Sequence, residues 1–278
     1  VTSDSCMKLA LENAPLFELM VMRRVVSISI CLALIFAAGQ AGHIPRLFNR
    51  WLVARGLLEV VANLSFTSAL AFVAIADLTA IVQSCPLFVL LGAWMFRGER
   101  LNAPRLVLIL LGIAGAMLVA QPGMGAASPY ALLAFLTAIS SATRDLLTPN
   151  VPKGMPPLVA TLTVLVILAV AGLAGMLAFE TPVMPGRREI LLMLVAGATA
   201  IAGHFLLYMA YRLGEARTVA PFMYTLTIWA VLSGLILFGE VPNALAVAGM
   251  ALVALAGLAI IWLDGRERKA TAILADAR

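Results

Sequence analysis

The stretch Thr218 to Leu263 constrains the fold more than any other. It holds two long apolar runs and one short break, Gly-Glu-Val-Pro-Asn at Gly239–Asn243, with Glu240 its only charged residue. Each run reaches the ~20 residues needed to cross a hydrocarbon core. The stretch is therefore a helical hairpin in a membrane. A similar hairpin occurs earlier: Gly98-Glu99 also closes an apolar run, and Asn102 stands where Asn243 stands in the second copy. The offset from Gly98 to Gly239 is 141 residues, about half of the 278-residue chain. A period this long marks a duplicated half rather than a solenoid, whose periods run ~20–50 residues. With five helices per half, the second half enters the bilayer upside down, the plan of many secondary transporters.

Composition agrees. The chain is 63% hydrophobic and 12% charged, with a mean hydropathy of +1.03. Soluble domains carry ~25% charged residues. The class is an all-α polytopic membrane protein. The net charge of +5 sets orientation in the bilayer and does not point to nucleic acid. Cys6, Cys31 and Cys85 lack the short spacing of a zinc site or a disulfide framework, and read as packed thiols.

Val1 to Leu11 is too short and too polar to span alone, and reads as the second half of a helix. Nine fuller spans are predicted near 18–40, 53–74, 76–96, 106–121, 129–148, 157–179, 190–211, 218–239 and 244–263. With the partial first helix they make a ten-helix bundle of two inverted repeats, the first helix only partly present. Residues 1–125 form the first repeat, 126–264 the second, and 265–278 a cytoplasmic tail whose mixed charge suits a solvated end. With both termini inside, 14 of the 19 basic residues fall on the cytoplasmic side, the expected bias.

These features resemble the drug/metabolite transporter superfamily, specifically the EamA-type ten-helix transporters. The matching pieces are Lys8–Arg24 at the junction of the first two helices, the Arg-Gly-Glu-Arg-Leu segment Arg97–Leu101, Ala220–Thr225, and Trp229–Asn243. Met223 stands where one large subgroup commonly has Arg. The resemblance implies a central cavity between the halves, partly lined by the first helix. It also implies movement of small metabolites by alternating access, driven by proton coupling or counter-substrate exchange, in a bacterial inner membrane.

Polar groups inside a bilayer are costly and tend to pair or face a cavity. His204, Tyr208 and Tyr211 share one face of the eighth helix. Pro221, Thr225 and Trp229 follow at four-residue steps in the ninth, with Tyr224 beside them. The candidate substrate-binding residues are Tyr208, Tyr224, Thr225, Trp229, His204 and Asn63. The competing reading makes the tyrosines interface anchors, Trp229 core, and His204 a local hydrogen-bonder. Arg55 and Glu59 are spaced to pair. Asp77 opens the fourth helix, where capping is expected. Arg144-Asp145 reads as an interface pair. Arg23-Arg24 either attract anions or lie at the headgroups. Glu99 and Glu240 are expected to bond the backbone at their turns. Pro86 and Pro221 interrupt their helices.

No phosphate-binding loop, zinc motif or nucleophile elbow is present in the sequence. No cofactor, metal or direct ATP drive is expected, and no enzyme activity. The reading is a secondary transporter of small organic metabolites, with export as the direction. Specific uptake of a nucleoside-like or methyl-donor compound stands as the alternative, as does a non-transporting membrane protein.

Overall fold

The structure is a computed structural model that describes residues 1–46, 49–98, 101–121, 130–152, 154–181, 183–213 and 219–276. Among these the regular elements are helices. They are α1 (Thr2–Ala10), α2 (Leu16–Ala37), α3 (Arg50–Leu70), α4 (Ile75–Val82), α5 (Cys85–Arg97), α6 (Ala103–Ala120) and α7 (Ala131–Leu147). There follow α8 (Pro157–Phe179), α9 (Arg187–Leu213), α10 (Thr225–Phe238) and α11 (Ala244–Asp276). Among the described residues eight segments are long and apolar enough to cross a membrane, and Phe222–Phe238 is a shorter apolar helix. The fold is a polytopic helical bundle.

The spans fall within a few residues of their predicted positions, with two instructive differences. The fourth span is broken. Pro86 has no amide to offer the carbonyl one turn back, and α4 ends at Val82. The Ser84 amide turns to the Ile81 carbonyl (3.0 Å), and its hydroxyl donates to the same oxygen (2.6 Å). The ninth span opens as a 3-10 turn, Ala220–Tyr224, which contains Pro221. Both proline-bearing spans thus depart from regular α-helix where their prolines stand. The second difference is the tail: α11 runs on to Asp276. The stretch after Leu263 is rich in Ala, Arg, Glu and Lys, good helix formers, and Gly265 alone does not stop it. Arg105 of α6 also holds Asp264 at 2.6 Å.

The repeated hairpin has a repeated conformation. α5 ends on Gly98 at φ +66° and α10 on Gly239 at φ +65°. Glycine populates this left-handed region without a Cβ penalty, which accounts for the glycine before each glutamate. Glu99 lies outside the described residues.

Packing ties early helices to late ones. α2 lies on α8 and α9, α3 on α7 and α8, α6 on α11, α5 on α7, and α10 on α4. The largest buried cluster gathers Met7, Leu19, Met20, Leu70, Ile75 and Leu78 from α1 to α4. The start of α2 is clamped as well. Glu180 accepts the Phe17 (3.0 Å) and Glu18 (3.1 Å) amides, while Glu18 accepts the Val183 amide (3.1 Å). Free amides at a helix start are thereby satisfied without water.

The α6–α11 contact is the tightest. A Cβ built on Gly115 would stand 2.9 Å from the Gly249 carbonyl oxygen, and one on Gly249 would stand 2.5 Å from that of Gly115. Small residues let membrane helices meet backbone to backbone. Gly249→Leu is expected to lower stability by about 1–3 kcal/mol, measured as a fall in the melting temperature of the detergent-purified protein. An unchanged melting temperature would mean that the two helices part freely.

Candidate functional site

The sixfold set of candidate residues does not converge on one point. A cavity of about 570 Å³ lies between α1 and α10. Its lining includes Ser5, Cys6, Leu226, Trp229, Ser233 and Leu237. Trp229 is 59% exposed, in line with a wall position rather than core. Leu226, Trp229, Ser233 and Leu237 follow at three- and four-residue steps, so one face of α10 supplies them. α1 supplies the opposite wall. An aromatic ring, the hydroxyls of Thr2, Ser5 and Ser233, and otherwise apolar walls suit an organic ligand with a few polar groups.

Tyr224 points elsewhere. Its hydroxyl fills the space over Gly257, 1.7 Å from where a Cβ there would stand, so the residue locks the 3-10 turn to α11. Thr225 donates to the Phe222 carbonyl at 2.7 Å, which satisfies its hydroxyl locally. His204 is exposed, and its Nδ1 lies 2.8 Å from the Ala200 carbonyl oxygen. Tyr208 and Tyr211 belong to α9, but their side chains lie outside the described residues. Asn63 of α3 buries its Oδ1 without a hydrogen-bond partner.

The charged residues make two clusters that spacing alone did not join. In the first, Lys8 of α1 bonds Glu240 (2.5 Å) and the Val73 carbonyl (2.7 Å). The other oxygen of Glu240 accepts the Ile75 amide at 3.0 Å. The glutamate that closes α10 therefore caps the start of α4. Asp77, expected to cap that helix, does not: the cap residue Ala74 gives no side-chain bond, and Asp77 leaves Oδ1 buried and unpaired. Glu240 reaches the amide first. Gly-Glu at a helix end was the signal, but its partner lies 165 residues away.

In the second cluster Arg144 of α7 pairs with Glu59 of α3 and with Asp145 (2.8 Å). The pairing of Glu59 with Arg55 does not form; a partner on the facing helix takes the carboxylate. The Arg144–Asp145 pair expected from sequence is present. Arg23 and Arg24 are packed inside the bundle, only 5% and 7% exposed. Arg23 stands 4.0 Å from Asp4. Among the described residues no group of three His, Cys, Asp or Glu side chains is placed to hold a metal.

Comparison with known proteins fits this architecture. The sequence matches the EamA-like transporter family over residues 2–121 and 128–263. It is 32% identical to a riboflavin transporter of Rhizobium johnstonii, over 78% of this chain and 72% of that one. It is 27% identical to an S-adenosylmethionine uptake transporter of Rickettsia conorii (76% and 71%). It is also 27% identical to a pseudopaline exporter of Pseudomonas aeruginosa (92% and 90%). A crystal structure at 20% identity superposes with a TM-score of 0.65 over 95% of this chain and 96% of the other, a likeness of fold alone. Relatives named as transporters of small molecules make this chain a small-molecule transporter and not an enzyme. The chain, a multi-pass membrane protein, belongs to the EamA-like transporter family.

Proposed function

We propose that the chain exports small organic metabolites across a bacterial inner membrane as a secondary transporter. Two inverted five-helix halves would rock about a central path, with both termini in the cytoplasm. The observation that carries the reading is the α1–α10 cavity, with Trp229 on its wall beside a helix opened at Pro221. Interrupted helices at such positions are a mark of transporter binding sites. The indole offers a flat ring a stacking surface. Uptake is the second reading, favoured by the Rickettsia relative, which is named an uptake transporter.

Counterflow in proteoliposomes tests the proposal. Vesicles loaded with pooled flavins, nucleosides, amino acids and amines should show protein-dependent exchange of one class. Inside-out and right-side-out vesicles under an imposed proton gradient then separate export from uptake. Trp229→Ala is expected to cut the flux about tenfold or more, the loss of one aromatic contact with the ligand, at unchanged membrane abundance. Unchanged flux would remove the α10 face from the path.

A further inference from the structure

We propose that Arg24 is the anchor for a carboxylate carried by the transported metabolite, an inference that rests on the transporter reading above. Arg24 lies in the first half of α2 and is 7% exposed. A guanidinium stays charged in a protein, and a buried cation needs a partner. Arg24 has none: among the described residues no hydrogen bond or ion pair reaches it, and its Nε is fully buried and unpaired. The acids within electrostatic range are Asp4 and Glu59. Asp4 stands against Arg23, and Glu59 is held by Arg144. The Val1 ammonium also draws on Asp4, at 3.3 Å, and Arg55, in range of the same Glu59, likewise buries an unpaired Nε, so Arg24 keeps its charge without a bonded carboxylate.

The surroundings are also unfinished. α2 packs on α8 and α9, while α3, which carries Glu59 and Asn63, packs on α7 and α8. Asn63 Oδ1 and Thr67 Oγ1 on α3, and Ser3 and Ser5 Oγ on α1, are buried without partners. Buried polar groups are normally satisfied, and each exception asks for a missing partner. A lone buried guanidinium is matched by a carboxylate, which it binds with two parallel hydrogen bonds.

The test uses the full chain in nanodiscs, with Cys6, Cys31 and Cys85 changed to Ser and a reporter thiol introduced by Asn63→Cys. Two thiol reagents of similar size serve as probes, anionic 2-sulfonatoethyl methanethiosulfonate and cationic 2-trimethylammonioethyl methanethiosulfonate. The anionic reagent should react about tenfold faster than its intrinsic rate ratio predicts, the gain that a focused field gives. The excess should vanish in Arg24→Gln and persist in Arg24→Lys. Equal corrected rates, or no reaction with either reagent, would overturn the proposal.

Melting temperature supplies the second readout. A structural arginine loses stability on replacement, whereas Arg24→Gln should melt no lower than the parent, since it removes an uncompensated buried charge. A clear fall would assign Arg24 to structure instead. Counterflow separates the two readings. Exchange in which metabolites and their carboxamide forms move equally would sink the carboxylate anchor and leave the transporter standing. Arg24-dependent labelling without any counterflow would do the reverse.

Discussion

Glu240→Ala is expected to abolish most of the folded protein in the membrane. The change strands two groups at once: the Lys8 ammonium, bonded at 2.5 Å, and the Ile75 amide, bonded at 3.0 Å. Lys8 and Glu240 side chains are 13% and 22% exposed, so water compensates little. Breaking a buried pair from one side costs about 3–5 kcal/mol, against a total stability of about 5–15 kcal/mol. Glu240→Gln should lower abundance less, because the amide oxygen can still cap Ile75. The double variant Lys8→Met with Glu240→Gln should recover part of the loss, as coupled residues do in a double-mutant cycle. Size-exclusion profiles and melting curves of fluorescent fusions read these outcomes. Normal abundance with an altered substrate preference would instead put Glu240 in the transport path.

Arg144→Ala should have the next largest effect, about 2–3 kcal/mol of stability, at or just below the low end of the buried-pair range. Side-chain exposures of 25% for Arg144 and 23% for Glu59 place the pair in the half-buried regime, where screening trims the cost. Glu59 then faces the interior unpaired, and the α3–α7 contact loses its polar tie. Combining Arg144→Gln with Glu59→Gln should restore most of the melting temperature, since neither member is left charged alone. If the single and double variants melt alike, the pair contributes nothing to α3–α7 docking.

The fold was legible because its signals are local. Apolar length, turn residues at Gly98 and Gly239, and Pro86 each act within a few residues of themselves. Most of the spans follow from them to within a few residues. Charge partners were not legible. Arg55 to Glu59 is a correct helical spacing, but Arg144 arrives from a helix 85 residues on, and spacing along one helix cannot weigh that rival. Asp77 failed as a cap for the same reason, with Glu240 coming from the other half of the chain. Among the pocket candidates, the four-residue step from Thr225 to Trp229 put both on one face. Thr225 nevertheless spends its hydroxyl one turn back, on Phe222. Trp229 was found through its periodicity with polar neighbours. Ser5 and Cys6 across the cavity were missed, because a short polar helix carries no sign of which face it turns inward.

The crossing of Gly115 and Gly249 has a mechanical consequence. Other helices mesh through side chains: the Phe17 ring rests on Gly175, and Val26 presses on Gly197 beside the Arg23 carbonyl. Such knobs resist sliding, because each must climb out of its hole. At Gly115 and Gly249 the backbones touch, and Leu252 Cβ and Val119 Cγ2 close on the same two sites at 3.0 and 2.8 Å, so backbone and side chain together fix the crossing. With the Arg105–Asp264 pair as a second tie, α6 and α11 are fastened at two points and behave as one rigid pair. A pair fastened in this way carries motion from one helix to the other instead of absorbing it.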